Sequence, residues 1–279
     1  MHVAVTGGAG FVGSHLVDRL VERGDTVIVL DNLETGNRDY INPAARFVRC
    51  DIGSDPLPDM RGVEMIFHLA AVSRILTSFM DPVATYRTNV VGTIRMVKHA
   101  KAIGAKLVYA GSSTAEPGKD ETLLDSPYAH SKCVGEQMLE LFRPHGLVAC
   151  TCRFFNVYGP RGDSRRGVDS VVTVFDRQRR QGLPLTITGT GDQRRDFIHV
   201  HDVVEGLLAA GKYGRPGAVY RLGTGIDYSV KEVAAMFGGQ VEHVPERPGE
   251  RKRTCAVGDC PEINWKAKHK LTDYIASLT

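Results

Sequence analysis

At 279 residues with 42% hydrophobic content, the chain is long enough to bury one large core or two modest ones. Its 35 Lys and Arg against 32 Asp and Glu leave a net charge of +3, too near balance to indicate nucleic acid or an anionic membrane as partner. With no charged leader ahead of the first apolar run and no apolar stretch of membrane-spanning length, neither export nor a membrane helix is expected, and the cytoplasm is the expected compartment.

His2 to Thr6 is a short apolar run, Gly7 to Gly13 follows, and Ser14 to Arg23 has a helical pattern. Strand, tight turn and helix start in that order build a phosphate cradle. Gly8-Ala-Gly10-Phe-Val-Gly13 fits G-x-G-x-x-G: the first glycines let the backbone turn and approach a pyrophosphate, and the last lets helix and strand pack closely. The exposed N–H groups and positive dipole end of the helix would then receive the pyrophosphate. Thr26 to Leu30 supplies a second buried strand with Asp31 at its end, where a carboxylate accepts both adenosine ribose hydroxyls and repels a 2′-phosphate, favouring NAD over NADP. A kinase-type P-loop is excluded because Ser14, not lysine, follows Gly13.

Further on, Arg46 to Cys50, Met65 to Leu69, Lys106 to Ala110 and Leu147 to Thr151 are short apolar runs separated by amphipathic segments such as Tyr86 to Ile103. Such βαβ repetition predicts an α/β fold with a doubly wound parallel sheet, and ligands in such sheets bind at the carboxyl edge. After Arg153 the pattern breaks into Gly-, Pro- and Arg-rich loops, with a helix expected over Ser170 to Gln181, a strand over Leu185 to Thr188 and a helix over Ser229 to Met236. The division expected is residues 1–155 for the nucleotide-binding part and 156–279 for a smaller lid, some of whose segments return to the main sheet.

Tyr128 and Lys132 are one helical turn apart if the segment from Tyr128 is helical, which places an ammonium beside a phenol. A tyrosine of ordinary pKa is only about 0.1% ionised at neutral pH, so a base role needs a downward shift of roughly three units, or about 4 kcal/mol. Lys132 and a positively charged nicotinamide both supply a field of the right sign. Ser112, at the end of the Lys106 strand, is placed to hydrogen-bond the oxygen whose proton Tyr128 removes. His199 and His201 alternate along an expected strand, but no third ligand is evident, so no metal is expected. The six cysteines have no paired C-x-x-C spacing and are read as reduced thiols.

Taken in order, Thr6 to Gly13, Asp31-Asn32-Leu33, Asp51-Ile52, His68 to Ala71, Asn89 to Thr93, Tyr128 to Lys132, Arg153 to Arg161 and Arg195 to Val200 resemble the extended short-chain dehydrogenase/reductases, and among them the nucleotide-sugar 4-epimerases, over nearly the whole chain. The resemblance implies a doubly wound parallel Rossmann sheet with a smaller α/β substrate-binding domain. It also implies an NAD site made of Gly7, Gly10, Phe11, Val12, Gly13, Asp31, Asn32, Thr35 and Gly36, with Asp51 and Ile52 at the adenine. Leu69, Ala70 and Ala71 would line the cleft, and Asn89, Phe155, Tyr128 and Lys132 would stand around the nicotinamide end. Ser112, Ser113, Tyr128, Asn156, Arg195 and Arg247 would meet the substrate, the arginines through its diphosphate.

The implied cycle takes a proton from a sugar 4-hydroxyl and hydride from C4, turns the 4-keto sugar over, and returns both to the other face. The substrate expected is a UDP-hexose and the assembly a homodimer through helices near Thr88 to Ala102 and Ser131 to Phe142. Dehydratases of the family continue after the serine with Asp-Glu, and decarboxylases place a glutamate two positions on, whereas this chain has Ser113 and Thr114. Glu116, where an aromatic residue is usual, and Thr188, where many relatives carry an aromatic against uracil, depart from the pattern. A catalytically dead NAD-binding redox sensor, the rival from another class, would be expected to lack Tyr128, Lys132 or Ser112, all of which are present.

Overall fold

The computed structural model describes residues 1–115, 126–162, 170–246, 253–256 and 258–278. The main sheet uses β1 (His2–Thr6), β2 (Thr26–Asp31), β3 (Arg46–Arg49), β4 (Met65–His68), β5 (Lys106–Ser112), β6 (Ala149–Phe154) and, far along the chain, Val219–Leu222. Its order places that last strand beside β6, followed by β5, β4, β1, β2 and β3, with every pairing parallel. The chain leaves β1 toward β2 and β3, then crosses back to β4 on the other side, so β1 and β4 flank the switch point where a ligand cleft forms.

Alternation along the strands divides the core in two, as a period of two residues must. Val3 and Val5 of β1 face Leu16, Val17 and Leu20 of α1 (Phe11–Glu22), whereas Ala4 faces the other side with Met96, Val97 and Ala100. That second side is covered by α4 (Thr93–Ile103) and α5 (Pro127–Phe142); α2 (Ile75–Met80) and α3 (Pro82–Tyr86) pack beside α5 and lead through a π-helical segment at Arg87–Gly92 into α4. π-helical turns cost regular hydrogen bonding and occur mostly near functional sites. Here the segment carries Asn89.

Past β6 the chain forms a smaller lobe from β7 (Asn156–Tyr158), α6 (Val171–Arg180), β8 (Leu185–Thr188) and β9 (Arg194–His199). It then returns to the main sheet as α7 (Val200–Tyr213) and β10 (Val219–Leu222), α7 packing beside α1. Back in the lobe come β11 (Asp227–Ser229), α8 (Val230–Phe237), β12 (Val241–Val244), β13 (Arg253–Thr254) and α9 (Leu271–Leu278). Phe175, Ile187, Phe197, Val233, Phe237 and Ile275 form its separate core. A Ser229–Glu232 capping box starts α8, and Ser170 caps α6 through the Thr173 amide. Among the described residues no helix is long and apolar enough to cross a membrane.

Candidate functional site

The loop after β1 can close only with glycine at its ends. Gly7 has φ +70°, and a Cβ there would lie 2.7 Å from the Ala70 nitrogen; one on Gly13 would lie 2.1 Å from the Gly7 oxygen. The close approach brings the first turn of α1 to the cleft with neither a capping side chain nor an acidic residue on it. Those N–H groups therefore face outward as a ready anion site. At the end of β2, buried Asp31 accepts the Ala9 and Leu33 amides at 3.0 and 2.8 Å. One amide on each carboxylate oxygen leaves lone pairs for a diol, while burial pushes the carboxyl above its usual range. Bare helix start, glycine cradle and buried terminal acid fit the pyrophosphate and ribose of NAD.

The reacting half is held by α5. Ser126 caps it through the Ala129 amide at 3.1 Å and Pro127 occupies the first turn, so Tyr128 and Lys132 stand one turn apart. Lys132, only 4% exposed, donates to the Ala110 carbonyl at 2.8 Å and lies 5.0 Å from the Tyr109 ring centroid. Burial pulls its ammonium down to about 8, with Glu136 opposing. The Tyr128 phenol is pushed above its ordinary value by burial, and its hydrogen bond with Ser112 acts in the other direction. This corrects the expectation that Lys132 makes the phenol acidic. One of the three ammonium protons goes to Ala110, and desolvation dominates at Tyr128, so the protein's own groups shift the phenol upward and not downward.

Beneath these groups runs a network that the sequence did not reveal. The Ala70 amide donates to Thr6 Oγ1 at 3.1 Å, and Thr6 Oγ1 donates to His68 Nδ1 at 2.7 Å. His68 Nε2 meets Thr93 Oγ1 at 3.0 Å, and Thr93 donates to the Asn89 carbonyl at 2.6 Å. Because Thr93 spends its proton on a carbonyl, His68 must carry its own on Nε2, and burial keeps the ring neutral, with its pKa pulled down to about 3. Asn89 continues the chain: its amide exchanges hydrogen bonds with both backbone groups of Val72 and donates to Ser131 Oγ, which donates to the Tyr128 carbonyl. A lone buried histidine and scattered threonines gave no sequence signal for it.

One cavity of about 470 Å³ joins the two halves. Its wall includes Gly7, Gly10, Phe11, Val12 and Gly13; Asp31, Asn32 and Thr35; and Asp51 with Ile52. Leu69, Ala70 and Ala71 continue it to Ser112, Tyr128 and Lys132, with Phe154, Phe155 and Asn156 opposite. Asn156 is oriented by donating to the Asp196 carbonyl at 3.0 Å, and the Asp196 carboxylate, fully buried, gathers the amides of Thr224, Gly225 and Ala256.

Four expected contacts lie off this wall. Asn89 sits behind it as the brace just described. Gly36 backs Asp31, where a Cβ would be 2.7 Å from Oδ1. Ser113 turns into a short 3-10 helix, and Arg195, on β9, donates to the Arg194 carbonyl. Arg247 and Glu116 lie outside the described residues. The wall also takes in Glu34, Arg74, Thr77, Asp81, Thr88 and Ser170, none of which was anticipated.

The strand expected to carry both His199 and His201 ends at His199, which caps α7, while His201 lies in that helix. Their rings nonetheless approach to 4.8 Å between centroids, and His269 stacks on His199 at 4.4 Å.

A family model described as "NAD dependent epimerase/dehydratase family" matches residues 3–223. UDP-glucose 4-epimerase of Mycolicibacterium smegmatis is 34% identical over 281 residues, covering 91% of this chain and 89% of that protein. UDP-glucuronic acid decarboxylase 1 of Arabidopsis thaliana is 32% identical over 303 residues, covering 98% and 68% respectively. Among solved structures, UDP-glucose 4-epimerase of Thermotoga maritima with UDP-glucose has a TM-score of 0.87 at 30% identity, covering 99% of this chain and 96% of that one.

Proposed function

The chain belongs to the NAD dependent epimerase/dehydratase family, and from that premise we propose that it inverts the C4 configuration of a UDP-hexose, with UDP-glucose and UDP-galactose as the pair. The observation that carries this reading is the meeting of Ser112, Tyr128 and Lys132 at one end of the cleft whose other end is the glycine cradle and Asp31.

Ser112 Oγ holds the sugar O4, and Tyr128 Oη takes its proton as the carbinol is oxidised. Bound NAD would supply the hydride acceptor for C4, return the hydride to the resulting ketone, and add a positive ring whose field favours the phenolate that burial disfavours. Lys132, held by Ala110, orients the tyrosine end and adds a second positive charge. After the 4-keto sugar turns over, Tyr128 gives the proton back, and no net redox change remains. Residues 113–115 are Ser, Thr and Ala, so among the described residues the turn after Ser112 brings no carboxyl group to eliminate water or assist loss of carbon dioxide; Glu116, the next residue, lies outside them. Asn156 stands on the substrate side as a polar anchor, with Arg195 and Arg247 assigned to the diphosphate by the family resemblance. The chains pair through α4, with the π-helical turn before it, and α5, where Val91 of that turn and Leu141 of α5 are 45% and 58% exposed.

Incubation with UDP-glucose or UDP-glucuronate and NAD, read by product mass and sugar stereochemistry, tests the reaction. UDP-galactose at unchanged mass is the expected product. Loss of 18 or 44 mass units, for water or carbon dioxide, would replace epimerisation with one of the sister reactions.

A further inference from the structure

At the N-terminus of α7, among residues that do not line the cleft, one imidazole nitrogen from each of His199, His201 and His269 lies within 4.8 Å of the others. We propose that these three side chains bind one divalent zinc ion, fastening the β9–α7 junction to the C-terminal segment.

Tetrahedral zinc at about 2.0–2.1 Å from imidazole nitrogen sets its ligands about 3.4 Å apart, so the cluster needs to close by no more than about 1.4 Å. Two of the three rings are on the surface and can make that movement: His201 is exposed, and the His269 side chain is 47% exposed. His199 is the buried anchor.

The tautomer of His269 is already set. Its Nδ1 sits 2.9 Å from Asp202 Oδ1, and Asp202, itself buried, accepts the backbone amides of Lys268 and His269 through Oδ2. A carboxylate on Nδ1 holds the proton there and leaves the Nε2 lone pair for a metal, as in carboxylate–histidine–zinc arrangements. His199 accepts the His201 amide on Nδ1 at 3.2 Å, a long bond. Zinc would engage it through Nε2 with the proton moved to Nδ1, giving up that cap, or through Nδ1 directly. Burial lowers the pKa of His199 to about 4 and also lowers that of His201, which keeps both as neutral donors at neutral pH. A cap explains His199 alone; it gives no reason for two further imidazoles, one of them 70 positions away in the chain, to gather on it. Imidazole sets suit zinc among the available divalent metals, and three protein donors leave the fourth position to water.

Zinc chloride titrated into the intact chain by calorimetry, with metal analysis after desalting, tests the site. One zinc per chain and a rise in melting temperature are expected, with affinity reduced at least about tenfold in His201→Ala and in His269→Ala and saturable binding lost in the double variant. The double variant should keep the wild-type turnover of UDP-glucose, which separates this site from the epimerase reading. No saturable uptake by the wild type, or equal uptake by the double variant, would overturn the proposal.

Discussion

Asp31 shows how a single side chain carries opposing demands. Its carboxylate must stay ionised to accept ribose hydroxyls, yet burial raises its pKa and only two amides offset the cost. The folded protein therefore takes up this proton more readily than the unfolded chain does. On acidification, NAD affinity is expected to fall from a pH above the ordinary carboxylate value of about 3.9, because the neutral acid is the weaker acceptor. Dissociation constants measured from pH 7 downward check this, with Asp31→Asn expected to be weaker throughout and flat. A wild type as flat as that variant would remove Asp31 from the ribose. Position and type of this residue were legible in the sequence because a strand end leaves few alternatives. Its raised pKa was not, since it comes from Gly36 and the turn folding over the carboxylate.

At the scale of elements, the glycine loop and α1 form one unit whose geometry tolerates no side chain at Gly13. Gly13→Ala puts a methyl 2.1 Å from the Gly7 oxygen, an overpacking cost of about 1–3 kcal/mol. Read as NAD affinity, this predicts a loss of about five- to 150-fold, while Gly24→Ala, whose Cβ would meet nothing within 4 Å and whose strain at φ +83° falls on stability beyond the far end of α1, leaves affinity unchanged. Equal affinities in the two variants would contradict the cradle. The strands and helices themselves were legible because burial on both faces gives β1, β2, β4 and β5 near-continuous apolar runs and the helices keep their own period. The π-helical turn at Arg87–Gly92 was not legible: its shifted hydrogen bonding follows from Asn89 reaching Val72 and Ser131, contacts made only once the fold is assembled. For the same reason His269 was missed as a neighbour of His199.

The whole molecule places its chemistry at the carboxyl edge of one parallel sheet. Residues after β1, β2 and β4 line the end of the cleft with the glycine loop and Asp31, β5 and α5 bring Ser112, Tyr128 and Lys132 to the other, and Phe155 with Asn156, where the smaller lobe begins, completes the wall. The return of α7 and β10 to the main sheet means that the lobe is anchored at both ends, so the two parts share one foundation. For the assembly, light scattering should give twice the chain mass of 30.5 kDa, and a charged substitution at Leu141 should lower it; a monomer at micromolar concentration would contradict pairing through α4 and α5.

The central claim is that one phenol beside Ser112 exchanges the proton of the sugar carbinol. Turnover of UDP-glucose by Tyr128→Phe, measured beside its NAD dissociation constant, tests this most directly. The account predicts a fall in kcat of about 10²–10⁴ with NAD binding close to wild type. Wild-type turnover by Tyr128→Phe would contradict it.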